Sequence, residues 1–286
     1  MNSCLIATLG ALGTVAGCAR TGTPSSSEPR QTDLPIPSEF RSHIRKAEGI
    51  GGQLYTLDKV AAIATDVVMK RVPDFRSKGV GGYLPLREAG DDGRPKDSFV
   101  VTFFTADDPP KTLYEIRIKP NSPAEFEAFD PPRITTDSFA SWVRARAAAI
   151  AALPAVRQPL NPILLPAGAN DENGVLVYLI AGTSKPNVAV FGQHFRVLIP
   201  EDGGTPTYVM PLSRSAIEVP VTGGPDGGKP VGLMVTHLVT DWPLETHVLV
   251  SLQWRVPVYV GTRRGVWRVD GDRITLVSDS PPKGLR

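Results

Sequence analysis

Proline and glycine recur so often in this 286-residue chain that few stretches can run on as a helix. The 28 prolines and 27 glycines favour many turns and short strands over a helical bundle. One confident helix is expected over residues 56–72. Thr56 offers a cap, Leu57, Val60, Ala61, Ala64 and Val68 share a face, and Pro73 stops it. A second is expected from Thr136-Asp137-Ser138, with Phe139, Trp142, Val143 and Ile150 as its apolar stripe, ending before Pro154. Between them "GVGGYLPLRE", "SFVVTFFT" and "TLYEIRIK" read as strands, the last two joined into a hairpin by "ADDPPK". Tyr114, Ile116 and Ile118 alternate with Glu115, Arg117 and Lys119, as expected of a sheet with one wet face.

The stretch "LPAVRQPLNPILLPAGANDENG" lacks periodicity and marks a domain boundary. Beyond it "VLVYLIAG", "VAVFGQHFRVLI", "TPTYVMPL", "GLMVTHLV" and "VPVYVGT" read as strands, and "GVWRVDGDRITLV" as a hairpin turning at Asp270-Gly271-Asp272. A short helix is expected in "PLETHVLVSLQW", with Asp241 or Trp242 near its start. The expected fold is α+β in two domains, residues 54–154 and 160–279, each an antiparallel sheet with one or two helices and the second mainly β. Residues 280–286 are a tail. The order of elements in the first domain resembles the small periplasmic PepSY and cystatin-like modules, with no shared motif.

The front of the chain addresses location. Leu5–Ala16 carries no charge and suits the apolar region of a signal peptide, being shorter than the roughly 20 residues that span a bilayer. Val15-Ala16-Gly17-Cys18 resembles the lipobox of bacterial lipoproteins, although no Lys or Arg precedes the apolar run. The resemblance implies a signal peptide over residues 1–17, diacylglycerol on the Cys18 thiol and a further acyl chain, such as palmitate, on the new amino terminus. Cleavage would remove Cys4, leaving a mature body with neither free thiol nor disulfide. Ala19 is not the aspartate associated with inner-membrane retention, so the resemblance implies the outer membrane, with the protein facing the periplasm. Residues 18–53 are expected to form a tether, rich in Ser, Thr and Pro up to about residue 37. Within it "SEFRSHIRKAEG" is read as a helical turn docked on the body, or else a short surface-seeking helix.

No chemical motif stands out. HExxH, His-x-His and G-x-S-x-G are absent, and "GGPDGGKP" lacks phosphate-loop spacing. Ser213 and Ser215 read as turn residues, and His43 has no obvious partner. The candidate metal donors are His237, Asp241 and His247, with Glu245 beside them, where a strand leads into the short helix. Imidazole and carboxylate groups at such a junction are suited to zinc. The run from Gly232 to Gly271 looks like a degenerate JAMM-type metalloprotease segment without its His-x-His. Trp242, in the polar loop "TDWPLE", is the candidate binding residue. A net charge of +2 without a dense Lys/Arg block gives no footprint for nucleic acid. These features favour a non-catalytic binding or assembly module without a cofactor, held at the membrane through Cys18 and contacting a protein or envelope component. The alternative is a zinc-dependent hydrolase at His237, Asp241 and His247.

Overall fold

Helix α1 (Arg41–Arg71) begins well before Thr56, so most of the expected tether beyond residue 37 belongs to the body. This computed structural model describes residues 33–156, 158–166, 168, 173–183, 185–222 and 230–285. Cys18 and the lipobox lie outside them. Phe40, Ile44, Ala47, Ile50, Leu54, Leu57, Val60, Ala64 and Val68 are all buried, a stripe that continues the expected helical face back by four turns. The glycines at 49, 51 and 52 disguise the helix, because each costs up to about 1 kcal/mol of propensity. Thr56 is not a cap: its Oγ1 donates to the Gly52 carbonyl at 2.9 Å, inside the helix.

The fold is α+β and rich in strands, with antiparallel sheets dominating. The first sheet has the order β1-β2-β3-β4, from Val80–Ala89, Pro95–Thr105, Lys111–Ile118 and Glu125–Ile134. β4 was not expected. Pro131 and Pro132 argue against a strand, yet an edge strand tolerates prolines because its outer N–H positions need no ladder partner. Helix α2 (Asp137–Ala151) follows, starting where it was expected, with the Thr136 side chain capping the Phe139 N–H; Ile150, however, is exposed and the small residues Ala140, Ala145 and Ala149 are buried.

The second half begins inside the expected linker, where Leu160–Pro166 forms β5. It pairs in full register with β6 (Val175–Ala181), in the order β5-β6-β8-β9, where β8 is Phe195–Ile199 and β9 is Tyr208–Pro211. Strands β7 (Val188–Val190) and β10 (Glu218–Pro220) make a small pair. A third four-stranded sheet, β11-β12-β13-β14, comprises Leu233–Thr236, Val258–Thr262, Gly265–Asp270 and Arg273–Ser278. Here β11 and β12 run parallel, connected through α3 (Glu245–Trp254), which places the α3 N-terminus at the carboxyl end of both strands.

Helix α1, about 46 Å long at 1.5 Å per residue, serves both halves. Its later turns bury Leu57, Val60, Ala64 and Val68 in a cluster with Phe99, Val101, Phe103 and Ile116 of the first sheet. Its start buries Ile44 and Ala47, with Phe40, in a cluster with Val258, Trp267, Val269 and Ile274. At Gly51 the helix meets α3 so closely that a Cβ would stand 2.4 Å from Val248 Cβ. Asp33–Arg286 is thus one compact unit, with the segment between the two expected domains crossed by continuous packing. Among the described residues no helix is long and apolar enough to cross a membrane.

Candidate functional site

Two features of this fold carry polar or binding chemistry. The first lies around the N-terminus of α3, where six polar side chains converge. Glu245, in the first turn, is buried; its Oε1 accepts from the Tyr178 hydroxyl at 2.9 Å and from Arg196 Nη1 at 3.1 Å. Burial and the Glu245 charge hold the Tyr178 phenol well above its usual pKa, so it stays a donor. Burial works against the Arg196 charge, but Glu245 and Tyr178 outweigh it and keep the guanidinium protonated. A carboxylate at this helix end also faces the positive pole of the α3 dipole.

Three histidines pack close by. The His247 Nδ1 accepts the Leu244 N–H at 3.0 Å, reaching back to cap its own helix. That leaves the proton on Nε2, and the ring lines a cavity of about 50 Å³. His237 directly follows β11, and its ring meets that of His247 edge-on, centroids 4.9 Å apart. Its Nε2 accepts the Thr240 N–H at 3.2 Å and lies 2.9 Å from Thr240 Oγ1, whose hydroxyl also lies 2.6 Å from the Trp242 carbonyl. His194 accepts the Ala181 N–H at Nδ1 and meets the Val190 carbonyl with Nε2 at 3.1 Å, so both its nitrogens are engaged. Burial pushes His194 and His237 down to about 4, and burial together with His237 pushes His247 well below the usual imidazole value. All three are neutral at neutral pH.

Of the expected donors, the fold brings His237 and His247 together but leaves out Asp241. Among the described residues no group of three or more His, Cys, Asp or Glu gathers in a way that could hold a metal ion. The Asp241 backbone carbonyl accepts instead from Thr262 Oγ1 at 3.1 Å. Ser213 is committed as well: its Oγ accepts the Gln193 N–H and donates to the Ser215 carbonyl. Trp242 is half-buried, stacked on His43 at 4.0 Å with a 14° tilt, so the histidine that lacked a partner in the sequence finds one across the fold.

The second feature is a cleft of about 950 Å³ between the facing edges of two sheets. β1 is the outer strand of the first sheet and β5 of the second. They are tied at one point, where the Tyr83 hydroxyl donates to Asn161 Oδ1 at 2.6 Å and Asn161 Nδ2 donates to Asp58 of α1 at 2.9 Å. Farther along, Pro85–Arg87 and Leu164–Pro166 line the cleft from either side, and apolar side chains dominate its walls. Phe139 and Trp142 of α2 form one wall; Leu57 of α1 and Phe99 form another, with Gly49, Gly52, Gln53 and Thr56 along the helix side. Pro85, Pro162 and Pro166 offer no N–H, which blunts both edges against strand pairing and leaves the gap open.

The α3 junction was legible in part, through His237, Glu245 and His247; Tyr178, Arg196 and the cleft were not. Tyr178 reads as one more apolar position in "VLVYLIA", and Arg196 as a surface charge in "HFRVLI". The one available signal was Glu245 and His247 in an otherwise apolar helix. No protein family, curated protein or solved structure matches this chain.

Proposed function

We propose that this chain is a lipid-anchored protein of the bacterial envelope whose body is a binding module, and that its ligand site is the cleft between β1 and β5. The observation that carries the reading is the cleft itself. Its volume lies within the range of about 300–1,000 Å³ typical of ligand pockets, and it combines apolar and aromatic walls with a few polar groups such as Gln53, Thr56 and Ser138. The lipobox supports the anchor, and with it a role close to a membrane surface, where apolar ligands are abundant.

Two experiments test the parts separately. The neutral probe 1-dodecanol should bind the Cys18→Ala full chain with one-to-one stoichiometry in equilibrium dialysis. Gly52→Leu should abolish that binding, because a Cβ at Gly52 meets nothing within 4 Å and the larger side chain extends into the cleft. Unchanged binding in Gly52→Leu refutes the cleft as the site. For the anchor, wild type should have lost residues 1–17 and gained the lipid, whereas Cys18→Ala should keep the mass of the full-length, unlipidated precursor and lose lipid-dependent partitioning to membranes. Identical mass and fractionation in the two refute lipidation.

A further inference from the structure

A second cavity, of about 380 Å³, borders the C-terminal half of α3 and shares no lining residue with the cleft. Ile180, Val190, Leu249 and Trp254 give it apolar and aromatic walls, and Asp58 of α1 is the charged side chain among them. The Asp58 carboxylate is held from two sides: Oδ1 accepts Asn161 Nδ2 at 2.9 Å and Oδ2 accepts Gln253 Nε2 at 3.0 Å. Both donors are neutral amides that also line the cavity, and among the described residues Asp58 makes no ion pair. The contacts therefore fix the carboxylate in the cavity wall without neutralising it, and each oxygen keeps lone-pair capacity. No Lys or Arg stands among the described lining residues, and His194, the one imidazole there, is neutral with both nitrogens engaged. α3 itself ends at Trp254 in this wall without a basic residue in its last turn, so the negative pole of its dipole adds to the Asp58 charge. Arg255, which follows, is exposed and does not line the cavity. The cavity thus carries one net negative charge beside apolar walls.

We propose that this cavity is a second ligand site, for a primary alkylamine, with the ammonium on Asp58 and the hydrocarbon body along Ile180, Val190, Leu249 and Trp254. It does not rest on the cleft being a ligand site. The volume falls within the range of about 300–1,000 Å³ typical of small-molecule pockets. An alkylamine is protonated at neutral pH, as a lysine side chain is, and so supplies the single positive charge that the walls lack. An ammonium suits Asp58 better than a guanidinium does. The planar fork of a guanidinium pairs with both carboxylate oxygens at once, and here each oxygen already takes an amide; a compact ammonium needs one lone pair. A phosphoethanolamine head would bring a phosphate against walls that hold no cation.

The test compares n-octylamine, 1-octanol and O-phosphoethanolamine by calorimetry on the Cys18→Ala full chain, with 1-dodecanol present to occupy the cleft. Octylamine should bind about tenfold more tightly than octanol, as expected of a charged hydrogen bond at a half-exposed carboxylate. Asp58→Asn should bring octylamine down to the octanol level; the substitution keeps the shape of the side chain, and the Gln253 amide can turn to preserve its contact. Trp254→Ala, which removes the largest side chain of the wall, should weaken octylamine and octanol alike. Equal affinity of the unsubstituted site for octylamine and octanol overturns the amine assignment whether or not the variants fold. Octylamine binding that ignores both Asp58→Asn and Trp254→Ala, or that 1-dodecanol displaces, overturns the cavity as the site. Tighter binding of O-phosphoethanolamine than octylamine assigns the cavity to a lipid headgroup and overturns the free alkylamine. Dodecanol that fails to bind refutes the cleft and leaves these outcomes as they stand.

Discussion

The Glu245 carboxylate and the Arg196 guanidinium meet at 3.1 Å beneath the first turn of α3, in a place where Glu245 is only 3% exposed. Glu245 comes from a helix of the third sheet's crossover and Arg196 from β8, so this contact locks together two sheets within what the sequence reads as one domain. Breaking one partner of a buried pair strands the other charge, at about 3–5 kcal/mol. Glu245→Gln and Arg196→Met should each lower the urea midpoint accordingly, and the double variant should lose less than the sum of the two. Strict additivity in that cycle is the result that dissociates the two residues.

The three buried histidines predict loss of stability in mild acid. Their folded pKa values lie below the unfolded value near 6.5, so the unfolded chain takes up protons first as pH falls. Stability from these groups is complete above about pH 6.5 and is lost progressively toward pH 4. At pH 5, His194 and His237 should each cost about 2 kcal/mol relative to pH 7.5, with His247 adding to it. Urea midpoints at the two pH values check this. His194→Gln should flatten the profile, and a midpoint unmoved by pH in the wild type contradicts it.

The glycines of α1 should part company under substitution. Gly51→Ala sets a methyl 2.4 Å from Val248 Cβ and should destabilise by about 1–3 kcal/mol through overpacking. Gly49→Ala meets nothing within 4 Å and should stabilise by about 0.5–1 kcal/mol through helix propensity and the loss of backbone freedom in the unfolded chain. Thermal unfolding of the two variants in parallel reads the opposite signs. Two shifts of the same sign would show that α1 and α3 do not cross as described.

His237 and His247 are predicted to be structural. Protein purified without chelator should carry far less than one zinc per chain, and chelator should leave the unfolding midpoint in place. His247→Ala should destabilise by about 1–2 kcal/mol, the range for a lost helix cap. Stoichiometric zinc that disappears in His237→Ala would instead make the pair a metal centre and revive the hydrolase reading.

Periodicity and punctuation carried much of the fold into view. The alternation in "TLYEIRIK" foretells β3, Thr136 marks the start of α2, and Asp270-Gly271 marks the last turn, because each depends on local backbone and solvent preferences. What the tertiary structure decided was where local preference is overruled. Gly51 is the position where α1 passes against α3, the buried stripe on either side keeps the neighbouring glycines helical, and Leu160–Pro166 becomes a strand because its prolines lie on an outer edge. Trp242 acquires His43, and Glu245 acquires Tyr178 and Arg196, neither of which spacing along the chain can express. A sequence states what each segment prefers next to its neighbours and water. Which buried charge meets a partner depends on residues brought together from distant parts of the chain.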